Sequence, residues 1–476
     1  MPESWVNSAE SLGADLHLEL AGSGSRRAVL IGALRDAVRS GRLVPGTRLP
    51  PYRSLAADLG IARNTVADAY AELVAEGWLS ARQGSGTRVA HRAKPLTPAR
   101  APAHRAPESR PTHNLLQGQP DAASFPRTAW LAAARRALTA APHDAFGPGD
   151  PRGRPELRRA LADYLARTRG VRTDPERIVI CSGFAHALRL LLPAVLPGPL
   201  AVESYGLPFH RHLLATAGVR THPLAIDEHG VESAELPSIE GTNAVLLTPA
   251  HQFPLGVPLH PDRRAAVINW ARGSGGYVIE DDYDGEFRYD RKPVGALQGL
   301  DPERVLHIGS VSKSLSPALR LGWMVLPDRL VDAVLEAKGE REAWAGVTDQ
   351  LTLAEFLTQG AYDRHIRRMR QRYRRRRNQL IDAVTHHAPH LTVTGIAAGL
   401  HAVLQLPDGS GESDERAALR AARWQGLALD GLSGYRHPAA TMAPRHGLVV
   451  GYATPSDSAF PGALEALCRA LPPVVG

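Results

Sequence analysis

The stretch Gly309-Ser310-Val311-Ser312-Lys313-Ser314-Leu315-Ser316-Pro317-Ala318-Leu319-Arg320-Leu321-Gly322-Trp323 carries the most legible chemistry in the chain. It follows an apolar run, 305–308, that reads as a buried strand, so Lys313 is expected on a loop at a sheet edge. Small hydroxyls flank the lysine, and Arg320 follows seven residues later. An amine held in this way can form an imine with an aldehyde. The plainer alternative is a solvated lysine in a serine-rich turn, so the reading depends on what the remaining chain places around it.

At 476 residues with 43% hydrophobic content, the chain is long enough for about three domains with at least one large core. No apolar run reaches membrane-spanning length, because 190–202 is broken by Pro193, Pro197 and Pro199. The N-terminus, with Glu3, Glu10 and Asp15, does not read as a signal peptide. Cys181 and Cys468 are too few for a disulfide framework and nothing near them has metal-ligand spacing, so a reducing cytoplasm and no metal are expected. A net charge of +8 and a pI near 9.7 permit nucleic-acid binding. The basic residues concentrate before Pro111 and again over 364–377.

Residues 1–90 read as one domain. Val29, Leu30, Ala33, Leu34, Ala37 and Val38 recur at helical spacing and Gly41 ends that helix. A short helix over 52–59 and a longer one over 62–76, joined through Gly60-Ile61, make a helix-turn-helix. The first residues of its second helix, Arg63, Asn64 and Thr65, are suited to base edges and phosphates in a major groove. Residues 78–89 then read as two short strands around Gly84-Ser85-Gly86, a wing. Residues 91–113, almost wholly Ala, Pro, Arg, His and Thr, have no apolar period and read as a stiff, solvated linker.

From 114 to 476 strand-like runs alternate with helical ones: helices over 157–167, 185–194 and 263–272, strands over 177–181, 200–203, 244–248, 277–281 and 305–308. Such alternation predicts a mostly parallel sheet covered by helices, with ligands at the strand ends. One end is Ser182-Gly183-Phe184, entering a helix whose free amides suit a phosphate. At a second, the two-residue strand period puts Asp281 and Tyr283 on one face. Lys313 is at the third. Pyridoxal 5'-phosphate (PLP) needs a lysine for its aldehyde, donors for its phosphate and a carboxylate for its pyridine nitrogen. Lys313, the set Ser310, Ser312 and Arg320, and Asp281 offer these. A calcium loop is the competing reading of 282–286, but its ligand register is wrong.

Two resemblances follow from these residues. Pro50, Arg53, Arg63-Asn64-Thr65-Val66, Ala69-Tyr70, Gly77 and Gly84-Ser85-Gly86-Thr87 resemble the winged helix of the GntR superfamily. Gly153, Ser182-Gly183, Glu203, His251-Gln252-Phe253-Pro254-Leu255-Gly256, Asp281-Asp282-Tyr283-Asp284, Ser310-Val311-Ser312-Lys313-Ser314, Arg320 and Gly322 resemble a class I aminotransferase of the type I PLP fold, an α/β domain with a small C-terminal α+β subdomain. Joined by a linker, the two are similar to MocR-type regulators. The resemblance implies DNA contacts from Arg53, Arg63, Asn64 and Thr65, with Gly84, Ser85, Gly86 and Thr87 in the minor groove. It implies Lys313 as the Schiff-base residue and Ser182, Gly183, Phe184, Leu207, Asp281, Tyr283, Ser310, Ser312 and Arg320 as cofactor-binding. It also implies a head-to-tail homodimer on a double-stranded operator, responding to an amino acid, an amine or PLP itself.

The chain departs from these patterns in several places. Ala62 replaces the usual capping serine or threonine at about 1 kcal/mol, and Pro51-Tyr52 stands where small polar residues are common. Leu207 occupies the position of the ring-stacking aromatic, with Tyr205 or Phe209 as substitutes. Phe253 replaces the asparagine of the aminotransferase turn, and 448–452 lacks the arginine that takes a substrate carboxylate, leaving Arg436 and Arg445 as nearby candidates. The arginine run 364–377 is expected to be chiefly a solvated helix face, with Ile366, Met369, Tyr373 and Leu380 as a packing stripe. A working aminotransferase with a secondary winged domain, and a repressor with a merely structural large domain, are the competing functions.

Overall fold

The computed structural model describes residues 18, 24–82, 86–91, 111–192, 195–289, 294–339, 345–407 and 409–471. Gly84 and Ser85 of the wing, and 92–110 of the expected linker, lie outside them. The chain divides into two compact units, 1–110 and 111–476.

In the first unit α1 (Arg26–Arg39) is capped by the Ser25 hydroxyl, which accepts from the Ala28 amide at 3.3 Å. Helices α2 (Tyr52–Asp58) and α3 (Arg63–Ala75) follow, then an antiparallel pair, β1 (Leu79–Arg82) and β2 (Gly86–Val89), in the register Leu79 opposite Val89. Leu30, Leu34, Val38, Leu55, Val66, Tyr70, Leu73, Leu79 and Val89 close one core. Helix α3 starts at Ala62 with no side-chain cap. Arg35 on α1 reaches Glu76 beyond the end of α3, Nε to Oε2 3.0 Å.

The second unit is built on β3 (Ile178–Cys181), β4 (Leu200–Glu203), β5 (Thr221–Leu224), β6 (Ala244–Leu247), β7 (Tyr277–Asp281), β8 (Val305–Ser310) and β9 (Gly322–Val325). They form one sheet in the order β3-β9-β8-β7-β6-β4-β5, parallel except for β9, which is antiparallel to both neighbours. Helices α4 (Arg127–Ala140), α5 (Pro155–Arg169), α6 (Phe184–Leu191), α7 (Pro208–Thr216), α8 (Pro261–Ser274), α9 (Asp328–Lys338), α10 (Val347–Thr358) and the long α11 (Ala361–His387) accompany it. Leu161, Phe356 and Tyr362 pack with Ile180 and Trp323 in one core, while Leu188, Val331 and Val334 pack with Ile279 and Met324 in another. Beyond α11 a four-stranded antiparallel sheet, β10 (Thr392–Thr394), β11 (His401–Gln405), β12 (Asp430–Gly431) and β13 (Gly447–Gly451), with α12 (Glu412–Trp424) and α13 (Phe460–Ala470), forms the small α+β part.

One strand is absent from those expected: 322–325 is fully buried, and its unbroken apolar run has no alternation to announce it. Lys313 follows the carboxyl end of β8, an interior strand of the sheet. The arginine helix has the expected packing stripe, with Ile366, Met369, Tyr373 and Leu380 buried, and Arg364, Arg367, Arg368, Arg374 and Arg375 exposed, but Arg370 donates to the Glu286 carbonyl at 2.7 Å, Arg372 to Asp121 at 2.7 Å and Arg376 to Asp457 at 2.8 Å.

Strand β7 separates its acids by face. Behind it Asp282 meets Arg169 in a bidentate pair, 2.6 and 2.8 Å, with both side chains buried. Burial works against that carboxylate, yet the Arg169 guanidinium and His307 hold it below its ordinary range. Arg169→Met leaves a buried carboxylate without its guanidinium and should lower the unfolding free energy by about 3–5 kcal/mol. Denaturant titration of the full chain measures this, and a loss under about 1 kcal/mol would show that His307 suffices.

Candidate functional site

The strand ends of the second unit enclose a cavity of about 260 Å³. Gly183, Phe184, Leu207, Asp281, Tyr283, Ser310, Ser312, Lys313 and Arg320 line it. Ser182 does not: its hydroxyl lies 3.0 Å from His186 Nδ1, and its amide donates to the same nitrogen at 3.1 Å. Phe209 is 56% exposed and outside the wall, whereas Tyr205 lines it with its hydroxyl accepting from the Arg445 amide at 2.9 Å.

The Lys313 amine donates to the carbonyl of Gly118. Burial draws it below the usual lysine range, against the pull of Asp281 and Asp284. Its loop is fixed from behind by α11: Tyr362 donates to Ser314 Oγ at 2.7 Å and His365 Nε2 lies 2.9 Å from the Ser314 carbonyl. Asp281 has no hydrogen bond or ion pair among the described residues. Burial pushes its carboxyl well above the ordinary range, with Lys313 opposing. Beside it Tyr283 donates to the His251 carbonyl at 3.1 Å. His251 Nδ1 lies 3.0 Å from the Tyr283 hydroxyl and 2.8 Å from Asp284 Oδ2.

At the other end Gly183 caps α6 at φ +108°, a conformation open essentially to glycine. The amides of His186 and Ala187 donate to the Gly183 carbonyl at 3.0 and 3.1 Å, which leaves those of Phe184 and Ala185 outside the helical ladder. A Cβ on Gly322 would stand 2.8 Å from Gly183 Cα, so β9 and this turn meet only as glycines. The Arg320 guanidinium lies against Gly183, held by a left-handed backbone at φ 51° and without a partner among the described residues. A cation and unpaired amides at a helix start form an anion cradle.

In the wall Gly118, His210 and His401 gave no signal in the sequence. Gly118 comes from a distant loop. His210, pulled down to about 4 by burial and by Lys313, stands 4.7 Å from the Phe184 ring. His401 is pulled down to about 3 by burial, and its Nε2–H donates to the Pro254 carbonyl at 3.0 Å. Glu203 is pushed up to about 7 by burial, although Thr248 donates to it at 2.6 Å. Arg436 and Arg445 lie outside the wall: Arg436 donates to the carbonyls of Ala440 and Met442 at 2.6 and 2.8 Å, and Arg445 to that of Ile226 at 3.3 Å. Arg211 is in the wall but donates to the carbonyls of Gly206, Tyr435 and Gly434.

In the first unit Arg53, Arg63 and Asn64 are exposed at the helix-turn-helix, Thr65 is half-buried, and Gly86 and Thr87 open β2. The Arg63 guanidinium stacks over the Tyr52 ring at 5.0 Å and lies 3.4 Å from its hydroxyl. The unusual tyrosine thus has a partner.

Comparison with known proteins matches residues 27–89 to bacterial regulatory proteins of the gntR family and 111–426 to class I and II aminotransferases. The chain is 36% identical to the HTH-type pyridoxine biosynthesis transcriptional regulator PdxR of Corynebacterium glutamicum, over 78% of this chain and 81% of that one. It is 31% identical to the probable rhizopine catabolism regulatory protein MocR of Rhizobium meliloti, over 88% of each. The kynurenine aminotransferase of Pyrococcus horikoshii shares the fold, with a TM-score of 0.68 at 23% identity over 76% of this chain and 91% of that one. With a gntR-type reading head and an aminotransferase fold in one polypeptide, this chain belongs to the MocR type of GntR-superfamily transcriptional regulators.

Proposed function

We infer that this regulator binds PLP in the 260 Å³ cavity and that occupancy there sets its affinity for DNA. The observation that carries this reading is the convergence of Lys313, Asp281 and Arg320 on one cavity, the last two without protein partners. When bound, the cofactor supplies an aldehyde that condenses with primary amines and a ring that draws electrons. Lys313 would provide the attaching amine, and its lowered pKa leaves more of it neutral and nucleophilic near pH 7. Asp281 would hold the pyridine nitrogen and Tyr283 the ring hydroxyl. The amides after Gly183, with Ser310, Ser312 and Arg320, would take the phosphate, and Leu207, Phe184 and His210 would cover the ring. Ser182 would act only by shaping the turn.

The ligand read is PLP itself rather than an amino acid. Among the described residues the wall holds no cation left for a second anion: Arg320 would be engaged by phosphate, and Arg211 is bonded to three carbonyls. The relative named for pyridoxine biosynthesis is consistent with a vitamin signal. The winged domain would contact a pair of DNA half-sites through Arg53, Arg63, Asn64 and Thr65, with Gly84 to Thr87 in the minor groove, as a head-to-tail homodimer in the cytoplasm.

Lys313→Ala should abolish the near-visible absorbance of the protein–PLP imine while leaving the circular dichroism intact, and an unchanged spectrum would exclude the attachment. Arg320→Ala should weaken PLP binding about 10- to 100-fold through loss of a charge-assisted contact. Ser182→Ala should change it less than about twofold, since only a bond to His186 is lost. Arg63→Ala should weaken operator binding by about 1–3 kcal/mol in a fluorescence titration. DNA binding indifferent to PLP, or multiple turnover with an amino acid and a 2-oxo acid, would overturn the reading.

A further inference from the structure

Helix α11 carries nine arginines between 364 and 377, with no acid between Asp363 and Asp382. The structure divides them. Arg370, Arg372, Arg376 and Arg377 bond to the body of the large unit, and Asp363 is taken by Arg167 at 2.9 Å. Arg364, Arg367, Arg368, Arg374 and Arg375 are exposed. At about 100° per residue these five fall within about 120° of the helix surface, opposite the buried Met369 and Tyr373, and span about 16 Å of its axis. Arg364, Arg367, Arg374 and Arg375 have no ion pair or hydrogen bond among the described residues.

The stripe is not a flat surface. On one side a recess of about 290 Å³ is walled by Arg167, Arg169, Arg367 and Arg370, against the two acids Glu286 and Asp363, the latter paired with Arg167. On the other a recess of about 430 Å³ is walled by Arg127, Arg368 and Arg372 together with Ser124. Repulsion among so many unpaired like charges weakens the compact state, and a polyanion with regularly spaced charges relieves it. Over about 16 Å a DNA duplex presents roughly nine phosphate charges.

We propose that the exposed stripe of α11 is a second DNA-binding surface, on the aminotransferase-like unit, which grips phosphate backbone without reading sequence. This rests on the DNA-binding role of the winged domain, which brings a duplex to the protein. The partner is double-stranded DNA. The recess beside Arg127, Arg368 and Arg372, whose wall holds no acid, would receive a phosphate, and the internally bonded arginines would fix the helix against the load.

The test uses the full-length protein and a duplex of about 40 base pairs of arbitrary sequence, long enough for several helical turns. Wild type is compared with the combined variant Arg364→Gln, Arg367→Gln, Arg374→Gln and Arg375→Gln. A control variant, Arg189→Gln, Arg220→Gln, Arg420→Gln and Arg423→Gln, removes equal charge from exposed sites elsewhere. The slope of log affinity against log salt should shrink by about 3–4 in the stripe variant, at about 0.9 per lost phosphate contact, and by less than about 1 in the control. Affinity at low salt should fall at least about tenfold in the stripe variant alone. Equal slopes for wild type and stripe variant, or equal losses in both variants, would overturn the proposal. A wild type that binds no duplex at all would instead remove the DNA-binding reading on which it rests. Unchanged circular dichroism and PLP absorbance show that the variants are folded.

Discussion

The bidentate contact between Arg169 and Asp282 makes an acidic segment tolerable, and the candidate site depends on that tolerance. Five carboxylates fall between Glu280 and Glu286. Left together in a low dielectric they would repel one another and take up protons. Four of them are compensated, each by a different device. Glu280 accepts from the amides of Leu297 and Gln298 at 2.8 and 3.1 Å, Asp282 has its guanidinium, and Asp284 has His251. Glu286, pushed up to about 7 by burial, lies 3.3 Å from the Tyr362 hydroxyl. Asp281 is the one left without a protein partner, and it is the one that faces the cavity.

Much of this was legible before any coordinates. The strand period separates Asp281 and Tyr283 from Glu280 and Asp282, and a lysine following an apolar strand among serines points to the same end of the sheet. What was hidden has physical reasons. Strand β9 has no alternation because both of its faces are buried. The Gly118 carbonyl that receives the Lys313 amine lies far away in sequence, so nothing local marks it. Ser182 looked like a phosphate donor because it precedes a helix, but His186, one turn into that helix, takes its hydroxyl. Arginine composition alone does not separate Arg376, which is buried, from Arg375, which is not, since helical phase and tertiary partners together decide that.

The long helix has a part in the site that its charge conceals. Tyr362 and His365 reach the Ser314 hydroxyl and carbonyl, next to Lys313, so displacement of the helix start disturbs the amine's loop. Any response to a ligand must arise from a difference in affinity between two arrangements of such elements. A helix whose first turn holds the Lys313 loop and whose outer face is cationic is, in the roles proposed above, one element on which PLP and DNA would both act.

The stacking of Arg63 on Tyr52 bears on what a contact to DNA by this side chain would cost. A long, freely rotating side chain must be frozen at each encounter, and the entropy lost then counts against every sequence, right or wrong. Here the phenol ring already narrows the rotamers of the guanidinium in the free protein. With Arg63 in its proposed role, less ordering would remain at the moment of contact, which would tighten binding to every sequence and leave the difference between sequences to the base edges themselves.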